Sequence, residues 1–150
     1  MVRSPEQAAA YSVLHSTIFP SSFFLSGMEQ KALIELAASL AHPFRPSADC
    51  TSGTVAAAIV TAESHLFTGV CVDTECSLGF CAEHAAIAEM LKARESAVQM
   101  IVAVNEEGRV LPPCGRCREL LWQVDGRNRN AWVVLGPEDG ATLADLLPRR

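Results

Sequence analysis

The chain has 150 residues, of which 49% are hydrophobic and only 19% charged, too apolar for a disordered tract and long enough for one compact core. Its net charge of −5 comes without any basic cluster, which argues against binding to long nucleic acid through phosphates. The abundance of Ala, Val and Leu leads us to expect apolar surface buried between subunits.

Residues 1–27 read as an N-terminal arm ahead of a single domain spanning 28–150. Tyr11–Leu25 is apolar in patches and holds Phe19, Phe23 and Phe24, but Pro20 interrupts it and it is too short to span a membrane. Packing on a partner subunit, or translation from an upstream start, suits it better than a signal peptide. Ser26 and Glu29 have capping-box spacing. A helix follows, with Ala32, Leu33, Leu36, Ala37 and Leu40 on its inner face. Pro43 and Pro46 end that helix and open a loop through Asp49, Cys50 and Gly53.

Val55–Thr61 and Leu66–Val72 are apolar, partly β-branched runs separated by a short polar stretch, the pattern of a hairpin. A second helix is expected from near Cys81, turning Ile87, Met90 and Leu91 inward. Val98–Val104 reads as a buried strand stopped by a turn over Asn105–Gly108. A third helix after Gly115 presents Leu120, Leu121 and Val124, and Ala131–Leu135 is a further strand. Thr142 and Asp145 cap a short last helix carrying Leu143, Leu146 and Leu147. The order predicts an α/β fold, helices layered on a mixed sheet. Trp122 and Trp132 sit within apolar runs and are assigned to the core or an interface, Cys50 and Cys71 to small buried hydrophobes. His15, His42 and His65 have no ligand spacing.

Chemistry concentrates at two strand-to-helix junctions, Cys81-Ala82-Glu83 and Pro113-Cys114-Gly115-Arg116-Cys117. Cys114 and Cys117 are one turn apart at a helix start, and Cys81 opens the neighbouring helix. The positive end of a helix favours thiolate over thiol. Three thiolates supply three of zinc's four tetrahedral positions, and an open fourth position marks a catalytic metal. Glu83, two residues past its cysteine, is placed to move protons without serving as a ligand. A structural four-cysteine zinc, adding Cys76, is the competing reading, but it leaves Glu83 without a role. Metal-binding cysteines also point to a reducing, cytoplasmic compartment.

These motifs, with Phe67-Thr68-Gly69-Val70, the extension Arg118-Glu119-Leu120 and the closing Leu146-Leu147-Pro148, resemble those of the zinc-dependent cytidine deaminase family. Within it, the blasticidin S deaminase branch is the most similar. The likeness runs from about Met28 to Pro148. It implies a three-layer α/β/α sandwich around a five-stranded mixed sheet and a homotetramer, or at least a homodimer, whose sites are completed by neighbours. It also implies one zinc per chain held by Cys81, Cys114 and Cys117, with Glu83 as proton shuttle. The substrate implied is a free cytosine nucleoside or analogue, or a bulkier aminoacylated or N4-substituted one in the blasticidin branch.

Substrate contacts carried over by the resemblance fall on Gly53, Cys71, Asp73 and Pro113. Gly53 stands where the family has a base-stacking aromatic residue, and Cys71 and Asp73 stand where it has an Asn and a Glu on the ribose hydroxyls. Backbone near Pro113 is expected to receive the amino group. His84 replaces an arginine that offsets thiolate charge. One of Arg116 and Arg118 is a further candidate for that balance, though solvent exposure is the commoner fate of a helical arginine.

Overall fold

A computed structural model of the protein describes residues 27–149. The N-terminal arm and Ser26 of the expected capping box lie outside the described residues. Helix α1, Gly27–Leu40, buries Leu33 and Ala37, with Ile34 and Ala38 packed beside them. Ala32 and Leu36 were expected inward, but Ala32 is exposed and Leu36 only half-buried. The buried stripe instead runs through Gln30, Leu33, Ala37 and Ala41. Gln30 belongs to it because its amide is satisfied there: Nε2 donates to the Gly136 and Asp139 carbonyls, and Oε1 accepts from Trp132 Nε1 at 3.0 Å.

The segment expected to be a loop is strand β1, Phe44–Ser47. Pro46 lacks an N–H to donate, which is tolerated because β1 is short and all four of its residues are exposed. β1 pairs antiparallel with the start of β2, Cys50–Thr61. β2 pairs with β3, Leu66–Thr74, along both of its halves, so β1 and β4, Val98–Asn105, share its other edge. The register of β2 against β3 shifts between Ser52 and Ala56. Gly53 sits in that bulge at φ +80, where an added Cβ would lie 2.4 Å from the His42 carbonyl oxygen. Only glycine fits both the angle and the space.

β4 runs parallel to β5, Trp132–Gly136, and β5 turns back into β6, Asp139–Thr142. The mixed sheet therefore has six strands, not five. The sequence reading missed β1 and β6 because each is four residues long and carries Pro or Gly, too short to display an alternating pattern.

Strand residues alternate between two cores. Ala58, Val60, Val102, Val104 and Val134 meet α1. Ala57, Ile59, Ile101, Ala103 and Val133 face the opposite way, towards α2, Ala82–Lys92, and α3, Gly115–Val124. Helices thus cover both faces of the sheet. α2 buries Ile87 and Met90, each stabilising the fold by about 1.5–3 kcal/mol. Leu91, expected inward, is 43% exposed, since it falls one position past the stripe through Glu83, Ala86, Ile87 and Met90. Gly69 lets α2 approach β3: a Cβ there would be 2.3 Å from the Ala86 nitrogen. Buried Asn128, in the 3-10 turn after α3, accepts from Val98 N and donates to the Ser96 and Leu121 carbonyls. It locks the end of α3 to the entry of β4. The last helix, α4, Leu143–Leu146, carries the expected Thr142–Asp145 capping box.

Candidate active site

Both chemical motifs occupy helix starts on the same side of the sheet. Cys81 is the N-cap residue of α2 and Cys114 that of α3, both with extended backbone and no side-chain cap bond. Their sulfurs are therefore free to turn away from their own helices. Cys114 reaches its place because the chain folds back after β4. Asn105 Oδ1 accepts from Glu107 N and Arg109 N, Gly108 takes φ +79, and Leu111 N donates to the Ala103 carbonyl at 2.8 Å. Cys117 lies one turn inside α3, buried.

Cys81 Sγ and Cys114 Sγ are 3.7 Å apart, Cys114 Sγ and Cys117 Sγ 3.5 Å, and all three sulfurs lie within 4.8 Å of one another. Zinc–sulfur bonds of about 2.3 Å at tetrahedral angles require sulfurs about 3.8 Å apart, so the group fits zinc. Its electrostatics fit as well. Burial, with the negative charge of Glu83 and the neighbouring thiols, pushes the Cys117 thiol far above its usual range. Burial likewise raises Cys81. Burial also opposes ionisation of Cys114, but hydrogen bonds from the Cys117 backbone and the two other thiols outweigh it and lower its pKa. A bound divalent cation offsets the charge of thiolates gathered this closely. Cys76 is exposed and is not one of the converging sulfurs.

Glu83, 5% exposed, lies in the first turn of α2 and lines an open cleft of about 510 Å³ beside Cys81 and Cys114. Cys71 and Asp73 line the same cleft. Gly53 does not line the cleft, and Pro113 lines a smaller void that also touches Glu83. The sequence reading overlooked Thr54, whose hydroxyl is 3.0 Å from Cys71 Sγ and donates to Asp73 Oδ2 at 3.2 Å. Cys71 Sγ also accepts from Val55 N and donates to Asp73 Oδ2. Cys71 is therefore a buried brace for Asp73. Phe80, another lining residue, was overlooked although it directly precedes Cys81.

His84, placed where the family has an arginine that balances thiolate charge, has its pKa lowered by burial and by the positive charge of Arg116. Arg118, a candidate for that balance or for solvent, is instead a clamp: Nε donates to the Pro113 carbonyl at 2.8 Å and Nη1 to the Leu146 carbonyl at 3.1 Å. It ties the loop before Cys114 to the end of α4.

Comparison with known proteins places this geometry. The family model described as the cytidine and deoxycytidylate deaminase zinc-binding region matches residues 28–132. Among solved structures, the cytidine deaminase of Mycobacterium leprae is 27% identical, with a TM-score of 0.66 over 79% of this chain and 97% of that one. The Mycobacterium tuberculosis cytidine deaminase is 28% identical, with a TM-score of 0.66 over 79% and 93%. That of Burkholderia pseudomallei is 29% identical, with a TM-score of 0.62 over 79% and 95%.

Proposed function

We propose a reaction from one premise: the chain belongs to the family defined by the cytidine and deoxycytidylate deaminase zinc-binding region, and is a zinc-dependent aminohydrolase. Its substrate is a free cytosine nucleoside or nucleoside analogue, of the cytidine or deoxycytidine type. The products are the uracil counterpart and ammonia. The observation carrying this reading is a buried carboxylate, Glu83, in a cleft beside three converging sulfurs.

Cys81, Cys114 and Cys117 hold one zinc per chain, which supplies a Lewis acid that makes water acidic near neutral pH. Glu83 takes the proton of the attacking water and delivers it to ring N3 while the water oxygen bonds to C4. Glu83 then carries the second water proton to the amino nitrogen, the C4–N bond breaks, and ammonia leaves. The backbone at Pro113 and Cys114 receives the amino group, and Arg118 steadies this segment through the Pro113 carbonyl. Asp73, braced by Thr54 and Cys71, accepts a hydroxyl of the sugar.

One observation favours a second reading, a blasticidin S-type deaminase of an aminoacylated or N4-substituted cytosine nucleoside. The cleft carries both Asp73 and Arg116, a pair suited to a substrate with a charged extension. Room over Gly53 does not support it, because the missing Cβ of Gly53 faces the His42 carbonyl.

Residues 28–150 form the catalytic domain. Exposed Phe44 and Leu91 support a homotetramer, which light scattering tests; a mass near 16.1 kDa at micromolar protein contradicts it. None of the six cysteines forms a disulfide, which supports a cytoplasmic setting. No helix among the described residues is long and apolar enough to cross a membrane.

The deciding experiment measures ammonia release from cytidine, deoxycytidine, blasticidin S, N4-substituted cytosines and several purine nucleosides. Turnover of a cytosine nucleoside is expected. Release from purines alone overturns the reading.

A further inference from the structure

Phe80 is 38% exposed, although a phenylalanine gains most when buried. It is the only aromatic residue among the described residues lining the cleft. Val55, Ala103, Leu111 and Pro112 add apolar surface to the same cleft.

The backbone fixes where this ring begins. Phe80 N donates to the Val72 carbonyl at 2.8 Å, and Val72 N donates to the Phe80 carbonyl at 3.0 Å, an isolated antiparallel bridge. Gly79 makes the bridge possible, since a Cβ there would lie 2.1 Å from the Val72 carbonyl oxygen. The turn closing it holds Cys76 and Ser77 at φ 56 and 57, left-handed conformations that non-glycine residues rarely adopt. Strain of that kind persists only where the surroundings impose it, and functional sites are where it collects. Val72 lies between Cys71 and Asp73. The bridge therefore fixes the backbone of Phe80 opposite Val72, next to Asp73 in β3, and directly before Cys81 in the chain.

We infer that Phe80 is a specificity-determining residue, the aromatic wall against which the substrate's planar ring rests, while Asp73 takes a hydroxyl of its sugar. This rests on the nucleoside reading above. A flat ring joined to a hydroxyl-bearing sugar matches an aromatic side chain and a carboxylate that line one cleft. The stacking contact comes from the residue before Cys81 and not from the first long strand, where Gly53 stands.

The test compares the holoenzyme with Phe80→Leu, Phe80→Tyr and, as a control on the same turn, Leu78→Ser; Leu78 is 81% exposed and does not line the cleft. Steady-state kinetics with the best cytosine nucleoside are read beside zinc content and melting temperature. Phe80→Leu is expected to raise KM about tenfold or more, with a much smaller change in kcat and one zinc per chain retained. Phe80→Tyr is expected to recover most of that loss, and Leu78→Ser to leave KM as in the parent. An unchanged KM in Phe80→Leu overturns the inference. Equal losses in the Leu and Tyr variants, or the same loss in Leu78→Ser, do so as well. Calorimetric binding of uridine, a product-type nucleoside, separates the two claims. If the parent turns over no cytosine nucleoside, the functional reading fails. The Phe80 contact is then decided by whether uridine affinity falls about tenfold in Phe80→Leu, and absence of uridine binding to the parent overturns it.

Discussion

One wall of the cleft is made of helix starts. Cys81 and Glu83 open α2 and Cys114 opens α3, with Cys117 buried one turn inside it. Another part of the lining is made of strand ends: Thr54 follows the Gly53 bulge in β2, and Cys71 and Asp73 sit near the end of β3. The helix wall gathers groups suited to holding a cation and moving protons. The strand wall gathers a hydrogen-bonded cluster suited to holding a substrate in place. Such a division lets substrate choice vary through strand irregularities while the sulfurs stay where the helices begin, and each wall can be disabled separately.

The largest effect is expected on the helix wall. Cys117→Ala removes its buried sulfur, so stoichiometric zinc and all turnover should disappear, read by atomic absorption and ammonia release. Cys76→Ala should keep one zinc per chain. Loss of zinc in the Cys76 variant would return the site to a four-cysteine structural centre and erase the contrast between the walls.

Glu83→Gln should retain zinc and the folded state yet lose about 10³-fold in kcat, because the side chain can no longer carry protons. A near-normal rate on the preferred substrate would sink the proton-transfer role.

The strand wall should respond in KM. Asp73→Asn keeps the shape but removes the charge that Thr54 and Cys71 steady. KM for a nucleoside with its sugar hydroxyls is expected to rise about tenfold, with kcat changed far less and zinc unchanged. A kcat loss as deep as that of Glu83→Gln would mean the walls do not divide the work.

The smallest effect belongs to neither wall. Asp125 accepts from the Arg127 guanidinium, the Arg127 backbone N–H and the Ser96 hydroxyl, and these bonds hold its pKa well below the usual carboxylate range. A depressed folded-state pKa contributes stability above the unfolded value of about 4, and that stability is lost as pH falls through the folded value. The pair faces solvent, so Asp125→Asn should lower the melting temperature at pH 7 by only about 2–4 °C. The gap between parent and variant should narrow below pH ~4, with KM and kcat untouched. A gap that widens in acid would contradict the sign.

Features set by neighbours in the chain were legible without a structure. The helices over 27–40, 82–92 and 115–124 follow from apolar spacing, and the Thr142–Asp145 cap from two residues three apart. The sequence also determined that three cysteines and a glutamate stand at two helix starts, because a helix start is a local event and one turn of helix fixes the separation of Cys114 and Cys117. What the fold alone decided depends on pairing between distant segments. Pro46 lies in a strand because an edge of β2 was open to it. Gly53 marks a bulge and not an emptied stacking site, because His42 blocks its missing side chain. Cys71 became a brace for Asp73 because Thr54, 17 residues earlier, faces it across the β2–β3 register. Phe80 reached the cleft through two hydrogen bonds to Val72. A register shift of one residue turns every side chain to the opposite face of a strand, and composition and spacing along the chain do not encode which register two distant strands adopt.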